Sequence, residues 1–78
     1  MKKCEVEKVT VEAIQQIIST RQPRGLYYTK EARRLYVGVD NDGGEAWTEA
    51  FHTRRQCLRW LSGMEAEDCG ALGYGKNK

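Results

Sequence analysis

The chain is predicted to fold as one small α+β domain: a helix, a three-stranded antiparallel meander and a second helix (αβββα). Three observations predict this. Apolar residues recur at helical spacing over residues 10–21, three short runs rich in β-branched and aromatic residues lie between 26 and 51, and a capping box opens another helical segment at Thr53. A chain of 78 residues has room for one hydrophobic core of limited depth. Its 40% hydrophobic and 31% charged content is that of a globular protein.

In the first helix, Thr10 to Arg21, the residues Val11, Ala13, Ile14, Ile17 and Ile18 form one apolar stripe and leave Glu12, Gln15 and Gln16 on the other side. Thr10 suits the N-cap, because its hydroxyl can accept from a free N–H of the first turn, and Val9 can staple onto Ile14. Pro23 and Gly25 end the helix.

The strands are Leu26–Thr29, Leu35–Val39 and Ala46–Phe51, joined by polar connectors at 30–34 and 40–44. Neither connector is long enough for a parallel crossover, which predicts the meander. Leu35, Val37 and Val39 alternate onto one face, expected to take both helices, with Tyr36 and Gly38 pointing away. The third strand has two readings. Trp47 and Phe51 face the helices, with Glu49 awkward beside them, or Ala46, Thr48 and Ala50 do; the larger apolar area favours the first. The second would leave Tyr27, Tyr36 and Trp47 on an exposed sheet face.

Thr53 and Gln56 form the capping box, Arg54 to Leu61 the helix, and Ser62-Gly63 its stop. Cys57, Leu58 and Leu61 lie on its apolar stripe, with Trp60 beside them. Residues 1–63 are therefore expected to form the single domain. Residues 64–78, with Glu65, Glu67 and Asp68 followed by Gly70, Gly73 and Gly75, read as a flexible C-terminal tail.

Composition narrows function more by exclusion than by assignment. A net charge of +2 is too mild for a general nucleic-acid binder. No apolar run approaches the roughly 20 residues that cross a bilayer, and charges instead of a signal-peptide core follow the start, so a cytoplasmic chain is expected. Cys4, Cys57 and Cys69 match neither a disulfide framework nor a zinc spacing, which fits a reducing compartment. Asp40-Asn41-Asp42-Gly43-Gly44 resembles a calcium loop only locally. It lacks the further ligands and the flanking helices, and Gly43-Gly44 lacks the lysine of a phosphate loop, so a hairpin turn explains both. No metal and no cofactor is expected.

His52 is the single histidine, and its ordinary role is that of a loop residue before the capping box. A pairing with Cys57 would need a thiolate, yet Cys57 sits on the buried stripe, where thiols are inert. No catalytic residue is assigned, and the chain is expected not to be an enzyme.

The remaining lead is arginine. Residues 21–34 contain Arg21, Arg24, Lys30, Arg33 and Arg34 against one acid, Glu31, and the second helix adds Arg54, Arg55 and Arg59. Arg55 and Arg59 are four apart and share a helix face. A guanidinium fork suits bidentate contact with carboxylate or phosphate. The candidate binding residues are therefore Arg21, Arg24, Arg33, Arg34, Arg55 and Arg59, with Tyr27 and Tyr36 as aromatic partners if they face outward. The competing reading is an ordinary solvated face balanced by Asp40, Asp42, Glu45 and Glu49.

The cadence of Arg21-Gln22-Pro23-Arg24-Gly25-Leu26-Tyr27-Tyr28, Gly38-Val39-Asp40-Asn41, Ala46-Trp47-Thr48-Glu49-Ala50-Phe51 and Cys57-Leu58-Arg59-Trp60-Leu61 resembles small uncharacterised proteins of phages, prophages and conjugative elements of Firmicutes, over about residues 10–63. That resemblance implies a bacterial mobile-element context. Some proteins of this size from such elements are anti-defence inhibitors, anti-CRISPR proteins among them, and no catalytic residues come with the likeness. The expected function is stoichiometric contact with a host or phage protein, the alternative a nucleic-acid-binding accessory domain. The edge strands leave either a monomer or a homodimer open.

Overall fold

The computed structural model describes residues 6–72. It is a mixed α+β fold with four strands in the order β1-β2-β3-β4: β1 (Val6–Lys8), β2 (Leu26–Ala32), β3 (Leu35–Asp40) and β4 (Trp47–Phe51). Helix α1 (Val11–Thr20) connects β1 to β2, and helix α2 (Arg54–Leu61) follows β4. The predicted meander is present as β2-β3-β4, antiparallel throughout. The count of three strands is corrected to four, because β1 pairs parallel with β2, Val6 opposite Leu26, and Val9 N–H extends the ladder to Tyr28 O at 2.9 Å. The parallel crossover is α1 itself. Three residues flanked by charges carry too little periodicity to announce a strand.

The helix signals were legible. Thr10 Oγ1 accepts from Ala13 N–H at 3.1 Å, and Val9 packs on the cluster that holds Ile14. Thr53 and Gln56 close the capping box in both directions, at 3.1 and 3.3 Å. Arg21 ends α1 in the left-handed region, φ 61°, its N–H donating to Ile17 O at 2.7 Å.

The helices do not share a face. On one side of the sheet Ile14 and Ile17 of α1 pack with Tyr27, Val37, Val39 and Ala50; on the other Cys57 and Leu61 of α2 pack with Leu26 and Phe51. The expectation of both helices on the Val37 face is thereby corrected. The residues between the Leu-Val positions, Tyr28, Tyr36 and Phe51, are themselves apolar, so both faces need cover. The two readings of β4 were consequently each half right: Ala50 packs under α1, while Phe51 is fully buried under α2. Trp47 is 63% exposed at the open end of the strand.

Gly38 sets how close α2 lies. A Cβ there would stand 2.8 Å from Cys57 Sγ and 3.3 Å from the Trp60 ring. Phe51 and Trp60 pack beside it, ring centroids 5.7 Å apart and tilted by 42°. Asn41, fully buried, ties together the loops at the far end of the sheet. Its Nδ2–H donates to Pro23 O at 2.9 Å and its Oδ1 accepts from Ala46 N–H at 3.1 Å.

Residues 64–72, the first part of the segment read as a C-terminal tail, carry structure of their own. A short 3-10 helix (Glu67–Cys69) buries Cys69 in the α2-side core, and Leu72 N–H donates to Ala50 O at 2.8 Å on the outer edge of β4. Glu67 and Asp68 lie in that turn, and Gly70 closes it in the left-handed region at φ 77°. Residues 73–78 of the predicted tail, and Cys4, lie outside the described residues.

Candidate functional site: an arginine end and an acidic-aromatic cleft

The register of the sheet decides which arginines meet. Tyr36 lies opposite Phe51, so the β2-β3 turn, Arg33-Arg34, and the link from β4 into α2 are at the same end of the sheet. His52 Nδ1–H donates to Arg34 O at 3.1 Å, the carbonyl having no proton to give, and this fastens the turn to the start of α2. Arg33, Arg34, Arg54 and Arg55 therefore gather at one end. Arg59 stands one helical turn beyond Arg55, and Arg54, Arg55 and Arg59 with Leu58 and Ser62 line a shallow open groove along α2. All five arginines are exposed, and among the described residues no ion pair holds them.

Arg21 and Arg24 belong to the opposite end. Leu26 pairs with Asp40 there, and the Arg24 guanidinium lies against Gly44, whose added Cβ would sit 3.2 Å from its Nε. The β3 strand between the ends has six residues, a separation of roughly 17 Å. The single cluster suggested by residues 21–34 is thus two, with Arg21 and Arg24 at the end of the sheet that also carries the 40–45 loop.

The aromatic partners do not take the outward positions the arginine reading wanted. Tyr27 is buried on the α1 side, its hydroxyl donating to Arg24 O at 3.0 Å. Tyr36 is half-buried beside α2, with Lys30 Nζ 5.8 Å from its ring centroid. Neither forms an open stacking platform. Arg54, which sequence placed on the helix without assigning it to binding, joins the arginine end because the turn folds back on it.

A different concavity opens at the other end of α2. Trp47, Glu49 and Phe51 alternate onto the α2 face of β4, and Gly38 opposite Glu49 lets Trp60 come down beside them. The cleft that results is bounded by Trp47, Trp60 and Met64 and by the carboxylates of Asp40, Glu49 and Glu65, with a volume of about 290 Å³. Glu49 Oε1 is sealed from solvent and has no hydrogen-bond partner. The position that looked awkward in the sequence is the orphaned one in the structure.

Burial pushes the Cys57 thiol up from 9.0 to about 12, with the Cys69 thiol nearby adding to the shift. A thiol so held offers no thiolate at neutral pH, so the Cys57–His52 pairing has no nucleophile. Among the described residues no group of acids, cysteines and histidine converges to hold a metal, and no helix is long and apolar enough to cross a membrane. No family model matches the chain, and no curated protein or solved structure matches it either.

Proposed function

We propose that the chain is a non-enzymatic binding protein whose arginine end, Arg33, Arg34, Arg54, Arg55 and Arg59, docks on an acidic surface of another protein. One observation carries the reading: three of these arginines occupy positions that local physics disfavours, all at the same end. Arg34 holds φ 59°, where glycine or asparagine is less strained. Arg54 and Arg55 stand in the first turn of α2, which contains no acid, against the positive end of the helix dipole. Departures from local rules that have no structural return mark functional positions.

Planar guanidiniums presented from a turn and a rigid helix suit bidentate contact with carboxylates. A nucleic-acid role would gain from exposed rings for base stacking, and Tyr27 and Tyr36 do not supply them. The resemblance to mobile-element proteins would imply a host or phage protein in a bacterial cytoplasm as the partner, and an inhibitor occupying a defence nuclease is the form of the reading that suits a small stoichiometric binder.

The test is affinity capture from a Firmicutes host lysate with the wild-type chain and with the Arg33→Glu/Arg54→Glu/Arg55→Glu triple variant. A stoichiometric protein retained by the first and lost by the second supports the reading. Tight binding of generic single- or double-stranded oligonucleotide at low salt, falling steeply as salt is added, replaces it with the nucleic-acid alternative.

A further inference from the structure

We propose that the cleft between β4 and the end of α2 is a cation site that takes the guanidinium of an arginine presented by a partner protein. The cleft faces away from the arginine end and has the opposite chemistry. Trp47 stands 63% exposed on one side, a large ring that contributes to neither core cluster. Trp60 lines the same cleft, packed against Phe51 at 5.7 Å and against the bare backbone of Gly38. Two indole faces are the preferred surface for an organic cation.

The carboxylates decide the sign. Asp40, Glu49 and Glu65 line the same cleft, and no lysine, arginine or histidine among the described residues does. Glu49 Oε1 has lost its water without gaining a hydrogen bond, which leaves a charge short of a partner in a partly dry setting. A cation between the rings supplies what is missing.

Size and shape favour guanidinium. At about 290 Å³ the space falls just under the range of roughly 300–1,000 Å³ typical of small-molecule sites, so one side chain fills it better than a cofactor does. A planar, weakly hydrated fork can lie between two indoles and still donate edge-on to a carboxylate, which the compact, strongly hydrated ammonium does less well. The proposal does not depend on the arginine end.

Both tryptophans of the chain are in the cleft, so the two indole N–H resonances report on it alone. The 15N-labelled protein is titrated with N-acetyl-arginine amide, with N-acetyl-lysine amide and with the neutral isostere N-acetyl-citrulline amide. Saturable movement of both indole signals by the arginine probe in the millimolar range is expected, with lysine weaker and citrulline silent. Glu49→Gln should weaken the arginine response about tenfold. Trp47→Ala, which removes an exposed ring and spares the core, should abolish the Trp60 response while the remaining spectrum stays folded. Equal responses to arginine and citrulline, or an unchanged titration in both variants, would overturn the proposal. Concentration-dependent self-association of the free protein that Glu49→Gln abolishes would also overturn it, by making the arginine that of a second copy.

Discussion

Gly38→Ala offers the sharpest test of the two-faced fold, because two effects of opposite sign meet at this residue. Glycine inside a strand is worse than alanine by roughly 0.5–1 kcal/mol, so on backbone grounds alone the substitution stabilises. The structure puts the new methyl 2.8 Å from Cys57 Sγ and 3.3 Å from a Trp60 ring carbon, where carbon contacts are comfortable at about 3.5–4.0 Å. Cys57 is fully buried and Trp60 leans on Phe51, so neither can swing aside, and α2 must lift from the sheet. Overpacking of this kind costs roughly 1–3 kcal/mol, leaving a net destabilisation of up to about 2.5 kcal/mol after the backbone gain. Urea unfolding followed by tryptophan fluorescence measures it. A second arm adds Cys57→Ala, which removes the sulfur and frees the space. The double variant should be more stable than the sum of the single effects predicts, by about 0.5–3 kcal/mol. If Gly38→Ala instead stabilises the protein, or the two changes add without coupling, α2 does not lie on this face as described.

Other consequences are accessible to the same assays. Arg54→Glu and Arg55→Glu should each stabilise the fold by about 0.3–1 kcal/mol at low ionic strength, an effect that fades with added salt, while weakening capture of the partner; destabilisation would show that the guanidiniums serve the fold. Asn41→Ala strands Pro23 O and Ala46 N–H at the loop junction, a loss of about 2–4 kcal/mol that should lower the melting temperature by on the order of 10–20 °C. The Cys57 thiol is raised in the folded state from 9.0 to about 12. Its contribution is therefore intact below pH 9 and lost as pH climbs from there toward 12. Between pH 7 and 10 the wild type should lose on the order of 1 kcal/mol more than Cys57→Ala in urea unfolding, and parallel pH profiles would refute the burial of that thiol.

The features legible in the sequence were those whose signal is local. Thr10, Thr53 and Gln56 announce helix starts because a cap is a contact between residues three apart. The strand cores around Tyr28, Val37 and Ala50 announce themselves by composition. Strand β1 was illegible because its partner, Leu26, lies beyond a whole helix, and Val6-Glu7-Lys8 is too short for a period of two to show. Assigning both helices to one face failed for a related reason. Alternation in β3 identifies the Val37 face as buried, and only the large rings of Tyr28, Tyr36 and Phe51 on the other face reveal that it is buried as well.

The candidate sites show the same division between local signal and long-range assembly. Counting charge along residues 21–34 merges arginines that a six-residue strand holds apart, whereas the turn at Arg33-Arg34 and the first turn of α2 are brought together by register and by the His52 bond. Glu49 was the one residue whose sequence position already signalled trouble. An acid between Trp47 and Phe51 on an inward face conflicts with the apolar pattern, and the structure turns that conflict into a carboxylate oxygen without a partner beside two indoles. A small domain has little stability to spare for such a residue. Replacing Glu49 by glutamine removes the charge from a half-buried side chain whose Oε1 has no hydrogen-bond partner, and should leave the fold as stable or more so. A stability that rises while the cation response falls would show the cost and the use of the carboxylate to be the same interaction.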